Sequence, residues 1–375
     1  MAITEINAKS VLSKHKRIDS WFVARYSMNF YRGCMHNCAY CDGRADGYYV
    51  KGEFGKDITI KTNAIEILDK ELNPEKKRKP LTPSFILLGG GVSDSYQPVE
   101  KKYEISRRAL ELILKYNYPV QILTKSTLVE RDMDLLIEIN KKSKVIVNFS
   151  FSSANDEISS YFEPLVPLPS ERLETISKFK SNGISCGVFL MPVIPFITDS
   201  EVEIENTIKK VKQAGADFII FSGMTLKEGT QKDYFFNILN KSYPWLIENY
   251  KKIYTGSEWG QASATYYQNL TTVFNKAISK YKLPQRIPAN LFNKILYEND
   301  LITVMLEQID YIQKSKGEPS PYGFAAYSIN QLKEPVSNIK NNLQQLKGVG
   351  KFIEKIILEI LETGTSKYYE KIINS

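Results

Sequence analysis

The chain has 375 residues, of which 43% are hydrophobic and 25% are charged. These values are typical of globular proteins and exclude a disordered or fibrous chain. The net charge of +8 is compatible with a polyanionic partner but modest for this length. The N-terminus lacks the basic-then-apolar order of a signal peptide, and the longest apolar run, 186–197, is too short to span a bilayer. We therefore expect a cytoplasmic protein without a membrane segment.

From about residue 85 to 225, short β-rich runs alternate with amphipathic helical patterns. Strands that alternate with helices in this way form a parallel sheet through βα units. Six strands in series predict an α/β fold, either a partial (βα)6-type barrel or a doubly wound sheet, with the chemistry on the loops after the strands. The predicted strands are 26–31, 85–88, 120–123, 145–151, 184–191 (ended by Pro192) and 218–221.

Three regions differ in their patterns. Residues 1–225 contain the predicted strands and the cysteine-rich loop 34–41, and residues 226–300 are helical and aromatic. Residues 301–375 lack strand signals and end in amphipathic helices. We therefore predict a barrel domain, its helical extension and a separate all-α C-terminal domain.

Three of the four cysteines, Cys34, Cys38 and Cys41, lie within eight residues. One loop with this spacing can wrap three thiolates around a [4Fe–4S] cluster, leaving the fourth iron open to a substrate or cofactor. Two alternatives stay open: a zinc site completed by His36, and buried thiols that are clustered by accident. The distant Cys186 is expected to be a small buried apolar residue.

The Cys-x3-Cys-x2-Cys loop, with Tyr40 before its last cysteine, is followed after the next strand by Gly89-Gly90-Gly91. This combination resembles the radical S-adenosylmethionine (SAM) superfamily. The resemblance implies a partial barrel whose three loop cysteines hold a [4Fe–4S] cluster. It also implies SAM as a cofactor, which is cleaved to a 5′-deoxyadenosyl radical that abstracts hydrogen from the substrate.

The same resemblance implies a set of cofactor-binding residues at strand ends. The three glycines let the backbone approach the methionine end of SAM. Lys125 pairs with the methionine carboxylate, the alternative being a surface ion pair. Ser150 is a candidate for the ribose or the carboxylate, and Tyr40 and Ser93 complete the expected set.

Further motifs resemble the spore photoproduct lyase-related group, whose members are described as DNA-repair photolyases. They are spread over roughly residues 20–255 and comprise 29–34, 61–63, 93–100, 124–126, 131–135, 163–164 and 191–195. In spore photoproduct lyase, a cysteine that returns hydrogen to the substrate occupies the place of Gly91 here. Tyr96 is therefore a candidate catalytic residue, as an alternative hydrogen source or a stacking partner for a base, with packing as the other role.

Near the C-terminus, Gly348-Val349-Gly350 precedes a helical pattern with one apolar face. Free N–H groups at the start of that helix attract a phosphate, and Lys351 adds a charge. The pattern resembles a helix–hairpin–helix, which binds the DNA backbone without sequence preference. The apolar face consists of Ile353, Ile356, Ile357, Ile360 and Leu361.

Residues 301–375 as a whole resemble the N-terminal domain of family-X DNA polymerases. The Schiff-base lysine of that domain falls at Ile356 here, so the resemblance implies DNA binding without lyase chemistry at this place. The alternative is a helical pair used for packing or dimerisation.

The leading hypothesis is a radical SAM enzyme of lyase type that repairs a DNA lesion, supplied with electrons by a reductase, flavodoxin or ferredoxin. One alternative is a radical SAM enzyme that modifies RNA or protein. The non-enzymatic alternative is an iron–sulfur redox sensor that binds nucleic acid.

Overall fold

The computed structural model describes residues 2–48, 52–76, 79–90 and 92–374. The strands are β1 (Ile3–Ile6), β2 (Leu12–Asp19), β3 (Ala24–Met28), β4 (Tyr31–Arg32), β5 (Ile58–Lys61), β6 (Phe85–Leu88), β7 (Val120–Thr124), β8 (Val145–Phe151), β9 (Ser185–Val193) and β10 (Phe218–Gly223). The helices are α1 (Ala64–Leu72), α2 (Glu100–Tyr103), α3 (Ile105–Tyr116), α4 (Met133–Lys142), α5 (Asp156–Phe162), α6 (Pro169–Ser181), α7 (Glu201–Gln213), α8 (Thr230–Ser242), α9 (Ile247–Ile253), α10 (Ala264–Tyr281), α11 (Glu298–Ser315), α12 (Tyr322–Asn330), α13 (Lys351–Thr363) and α14 (Lys367–Ile373).

The main sheet has the strand order β10-β9-β8-β7-β6-β3-β2. Strands β3, β6, β7, β8, β9 and β10 run parallel, whereas β2 is antiparallel to β3. The curled sheet forms a half-barrel, which confirms the predicted α/β class and the six parallel strands. A second sheet, β1-β5-β4, lies beside it. The sequence did not predict β2, because its exposed, basic residues lack apolar alternation.

Several predicted strand limits differ from the structure by one to three residues, and two of the differences have a local reason. The first parallel strand ends at Met28, because the Asn29 side chain accepts a hydrogen bond from Tyr31 N (3.0 Å) and turns the chain. Strand β9 continues past Pro192 to Val193. The proline is tolerated there because the β9–β10 register shifts beside it, so that the missing N–H breaks no regular ladder.

The parallel strands bury both faces, as the alternation along β9 illustrates. Cys186, Val188 and Leu190 belong to the core between the sheet and its outer helices. Phe189 points to the other face and belongs to a second core, inside the half-barrel. The expectation that Cys186 is a small buried residue is thus met, since it is fully buried on the outer face.

The C-terminal helices complete the core inside the half-barrel. Helix α11 is buried around most of its circumference, and Ile302, Met305 and Ile309 share one apolar cluster with Phe85 and Phe218 of the strands. The four isoleucines of the predicted face on α13 are buried in the same cluster, whereas Leu361 is half-buried. Before the Gly-Val-Gly turn, the expected helix is only a 3-10 turn, Leu343–Gln345. The domain limits near 225 and 300 stay a prediction.

Polar contacts fasten α11 to the first parallel strand and to α14. The Arg25 guanidinium donates two hydrogen bonds to the Asp300 carboxylate, one of them Nε to Oδ2 at 3.1 Å. The Tyr369 hydroxyl donates to Gln308 Oε1 at 2.6 Å. No helix in the described part of the chain has the length and apolar character needed to cross a membrane.

We expect Asp300→Ala to lower the free energy of unfolding by about 3 kcal/mol, because it leaves the largely buried Arg25 cation without its carboxylate. Lys251→Ala breaks an exposed pair with Glu248 and should cost less than about 1 kcal/mol. Urea denaturation of both variants measures the difference. Equal losses would show that the Arg25–Asp300 contact does not secure α11.

Candidate functional site

The three clustered cysteines lie on the loop between β4 and a 3-10 turn, Asp42–Arg44, at the carboxyl end of the parallel strands. Cys34 and Cys38 are buried and Cys41 is half-buried. All three line one cleft, and burial raises the pKa of each thiol. The other residues lining this cleft are His36, Gly90, Val92, Ser93, Asp94, Leu123, Thr124, Lys125 and Ser150.

Gln97 fixes the backbone on both sides of Cys34. Its amide oxygen accepts a hydrogen bond from Met35 N (2.8 Å), and its amide nitrogen donates to Gly33 O (3.2 Å). The side chain is fully buried, so water cannot replace these bonds. Gln97 therefore holds the cysteine loop in one conformation.

Arg44 supports the second half of the loop. Its guanidinium donates to the carbonyl oxygens of Cys38 and Phe54, both at 3.3 Å. It also stacks on the Tyr234 ring, 3.5 Å from the centroid. Helix α8, which carries Tyr234, is thereby coupled to the cysteine loop.

Asp94 connects the glycine turn, the cysteine loop and the end of β7. Its carboxylate accepts from Tyr96 N (2.8 Å), Thr124 Oγ1 (2.7 Å) and Lys125 N (2.7 Å). Burial by itself raises the pKa of Asp94, but contact with His36 and the two backbone N–H groups bring that pKa below its ordinary value. The carboxylate is thus charged and serves as a structural anchor of the site.

His36 is buried between Leu165 and Asp94. Its Nδ1 lies 3.0 Å from Leu165 O, and its Nε2 lies 3.2 Å from Asp94 Oδ2. Nε2 makes no hydrogen bond, and Asp94 is the polar group nearest to it. In the described residues, no three His, Cys, Asp or Glu side chains are grouped closely enough to hold a single metal ion.

The donor set nevertheless fits a cubic cluster. Structural zinc needs four ligands, with thiolates about 2.3 Å from one ion, whereas each cysteine of a [4Fe–4S] cluster binds a different iron. Three thiols spread around one cleft match the second arrangement. Gly90 lines the same cleft with a φ of +146°, and a Cβ there would lie 2.9 Å from the Leu87 side chain. Gly90 therefore gives this wall of the cleft a backbone conformation that residues with side chains rarely adopt.

A buried carboxylate, Glu163, organises the cations beside the thiols. Lys125 Nζ lies 3.0 Å from Oε1, which also accepts from the Tyr40 hydroxyl, and Arg172 Nη2 donates to Oε2 at 2.8 Å. Burial by itself raises the pKa of Glu163, but Lys125 and Arg172 outweigh it and hold the pKa well below its usual range. Glu163 thus holds Lys125 in place at the cleft, which the second buried carboxylate, Asp94, also lines.

Among the predicted cofactor residues, Ser93 and Ser150 also face the cleft. The Ser93 hydroxyl lies 2.9 Å from Asn29 Oδ1, and the Ser150 hydroxyl donates to Met191 O at 2.9 Å. Gly89 has a φ of +83°, and a Cβ there would lie 2.4 Å from Leu123 O, so only glycine fits. Gly91 lies outside the described residues.

Tyr96 is not brought to the thiols. It is fully buried, it is not among the residues that line the cysteine cleft, and its hydroxyl donates to Asp132 Oδ2 at 3.1 Å. Asp132 is in turn paired with Arg107 and Arg131. In this structure Tyr96 is a core residue, and the expected role as hydrogen source or stacking partner finds no support in its position.

Several residues of the site were not predicted from the sequence. Asp94, Gln97 and Glu163 lie inside motifs that carried the family resemblance, and that was the available signal. Arg172 gave no such signal, because it is a lone arginine in the largely polar sequence of α6. Its complete burial becomes visible only when α6 packs beside Glu163.

These observations define a class: an iron–sulfur enzyme on a half-barrel, with a glycine turn and Lys125 beside three thiols. Residues 28–209 match the family described as the radical SAM superfamily. An uncharacterized protein of Methanocaldococcus jannaschii is 30% identical to this chain, covering 59% of it and 77% of its own length. An uncharacterized protein of Mycobacterium tuberculosis is 29% identical, with 74% and 81% covered.

The chain belongs to the radical SAM superfamily, and its cofactors are a [4Fe–4S] cluster and SAM. Spore photoproduct lyase, solved in complex with dinucleoside spore photoproduct, superposes with a TM-score of 0.55 at 16% sequence identity. That superposition covers 74% of this chain and 79% of the lyase chain. At this identity the comparison establishes a shared fold.

Replacing Cys34, Cys38 or Cys41 with Ala should remove most of the bound iron, since each thiolate is expected to hold one iron of the cluster. Cys186→Ala is the matched control, because that thiol is buried on the far face of β9 and should leave the iron content unchanged. Iron and sulfide analysis of anaerobically prepared proteins tests this. Stoichiometric tetrahedral zinc, or iron loss in the Cys186 variant alone, would contradict the assignment.

Proposed function

We propose that this radical SAM enzyme repairs DNA, by lyase-type chemistry on a damaged nucleotide. The observation that carries the proposal is an exposed turn, Gly348-Val349-Gly350, which we call the hairpin. The helix that follows it packs into the core of the half-barrel. The comparison with solved structures also supports the proposal. This chain shares its fold with spore photoproduct lyase, which is known in complex with dinucleoside spore photoproduct.

The hairpin presents the start of α13 to solvent. Gly350 is the residue before the helix, it is exposed, and no side chain caps the first turn. Gly348 has a φ of +86°, and a Cβ there would lie 2.9 Å from the backbone of Ala325, so the turn requires glycine. The free N–H groups and the exposed Lys351 suit one phosphate of a DNA backbone.

Because α13 packs into the core that fills the half-barrel, the hairpin and the cysteine cleft have a fixed relation. DNA held at the hairpin is then positioned relative to the cofactor site rather than tethered loosely. For the same reason, removing residues 301–375 would expose the inner face of the strands, and point substitutions are the better tests.

The cofactor roles follow from the charges of the cleft. When bound, the cluster and SAM supply the radical chemistry. In this proposal Lys125 pairs with the methionine carboxylate, while Glu163, itself held by Arg172, fixes the Lys125 ammonium group. Gly89, Gly90 and Gly91 admit the methionine end, with Tyr40, Ser93 and Ser150 around it.

The lesion is expected to differ from the spore thymine dimer. The resemblance places the hydrogen-returning cysteine of that reaction at Gly91, which has no side chain to donate hydrogen. The electron for the cluster comes in this proposal from a reductase, flavodoxin or ferredoxin.

Reduced with dithionite, the protein should release 5′-deoxyadenosine from SAM, and the correct DNA lesion should raise that rate by about tenfold through closer positioning. A panel of damaged oligonucleotides with mass analysis identifies the product, and spore photoproduct should remain unconverted. Lys125→Ala should weaken SAM binding by about tenfold without loss of iron. A substrate found only among RNAs or proteins, or no SAM cleavage at all, would overturn the proposal.

Gly350→Val should weaken DNA binding by about tenfold, because the new side chain blocks the approach of a phosphate. The φ of −92° and the open space around Gly350 mean that the fold tolerates valine.

Lys351→Glu should also weaken DNA binding, with a shallow salt dependence because few phosphates are contacted. Lys371→Glu, an equal charge change on α14, is the control. Equal anisotropy titrations for all four proteins would favour packing or dimerisation for the tail.

A further inference from the structure

A groove of about 800 Å³ lies between α10 and α11, apart from the cysteine cleft. Its walls carry two tyrosines, two threonines, two amides and two lysines, and no carboxylate is among the described residues that line it. The residues that matter here are Tyr267, Gln268, Asn275 and Tyr311. One of the lysines, Lys314, is paired with Asp310 (2.7 Å), a carboxylate outside the lining. Planar rings, hydrogen-bonding groups and basic side chains are the combination that single-stranded nucleic acid prefers.

The groove begins beside the catalytic end of the sheet. The Tyr267 hydroxyl accepts from Gly223 N and lies 2.8 Å from Ser222 Oγ, at the carboxyl end of β10. Two strands away, at the corresponding end of β8, Ser150 lines the cysteine cleft. Neighbouring strands are about 4.8 Å apart, so the groove starts about 10 Å from the cleft. One extended strand of nucleic acid can therefore reach both.

A buried arginine, Arg286, lies against Tyr311 in the wall of the groove. The Arg286 guanidinium lies 3.4 Å from the centroid of the Tyr311 ring and 4.5 Å from that of Trp21. The arginine is only 2% exposed, and among the described residues no carboxylate forms an ion pair with it. A buried cation without a carboxylate is costly, and the two ring contacts offset only part of that cost. The guanidinium also donates to Gln285 O (2.9 Å), and Asp19 acts on it from beyond ion-pair distance, so part of its positive charge remains at the groove wall to attract phosphate.

One polar atom of the groove also lacks a protein partner. Asn275 Nδ2 donates to Ser315 O at 2.9 Å, whereas its buried Oδ1 has no hydrogen-bond partner. A buried acceptor without a donor is unfavourable. Turning the Asn275 amide toward the groove would expose Oδ1 to the amino or imino group of a nucleobase.

We propose that the groove between α10 and α11 binds, as a single strand, the nucleotides next to the one that reacts in the cysteine cleft. Tyr267 and Tyr311 supply stacking surfaces, Asn275 contacts a base edge, and the lysines with Arg286 attract the backbone. This inference rests on the proposed action on DNA and adds that the strand is unpaired beside the lesion.

Binding of a fluorescent single-stranded DNA of about eight nucleotides to the full-length protein tests this assignment. Gln268→Glu and Thr272→Glu place carboxylates on exposed positions of the groove and should each weaken binding by about tenfold through repulsion of phosphate. Asn269→Glu makes the same charge change on the next exposed residue of α10, outside the groove, and should bind like the unmodified protein.

Photocrosslinking supplies an independent readout. The same oligonucleotide carrying 5-iododeoxyuridine should crosslink to Tyr267 or Tyr311, identified by peptide mass analysis. Crosslinks confined to the hairpin region, or equal affinity of the Gln268, Thr272 and Asn269 variants, would overturn the groove assignment. An RNA of the same sequence that binds about tenfold more tightly would assign the groove to RNA instead.

The outcomes for the groove and for the proposed function are separable. If Gly350→Val weakens DNA binding while the groove variants do not, the DNA-directed function stands and the groove inference fails. If the unmodified protein binds no DNA in either assay, the proposed function itself fails.

Discussion

The buried carboxylate of Asp94 is the contact on which the geometry of the site depends. It accepts hydrogen bonds from its own turn and from the end of β7, and it contacts His36 in the cysteine loop. A buried charge is tolerated only when it is fully engaged, and these donors engage both oxygens. Because the donors come from three separate segments, folding of the strands brings the thiols, the glycine turn and Lys125 together.

A second buried carboxylate sets the charge of the cleft. Glu163 joins Lys125, Arg172 and the Tyr40 hydroxyl, so the loop before the last cysteine and the end of β7 share one partner. Among the described residues that line the cleft, Lys125 is the cation that can meet an anionic ligand group. Lys125 is thus held in position before any cofactor binds, which lowers the entropy that binding must overcome.

The C-terminal helices have two consequences for the molecule. Their inner faces fill the half-barrel that six strands leave open, and their outer faces present the hairpin and one wall of the α10–α11 groove. A surface built on a shared core moves with the catalytic end of the sheet. In the proposed function, a polymeric substrate can therefore be held at several points around one reacting nucleotide.

The sequence by itself determined the features that depend on short spacings. The cysteine loop, the glycine turn, the parallel strands and the isoleucine face of α13 all follow from residues within one turn, strand or helix of each other. The extra sheet and β2 escaped prediction, because short or polar strands are stabilised by their neighbours rather than by their own pattern.

Only the tertiary structure decided which distant residues meet. Glu163 is 38 residues from Lys125 and 123 from Tyr40, and no spacing rule connects them. It also decided that Tyr96 is a core residue, that His36 is buried between Leu165 and Asp94, and that Arg286 is buried against two aromatic rings. Those outcomes depend on how helices and loops pack across the sheet, and burial and pairing are properties of that packing rather than of local sequence.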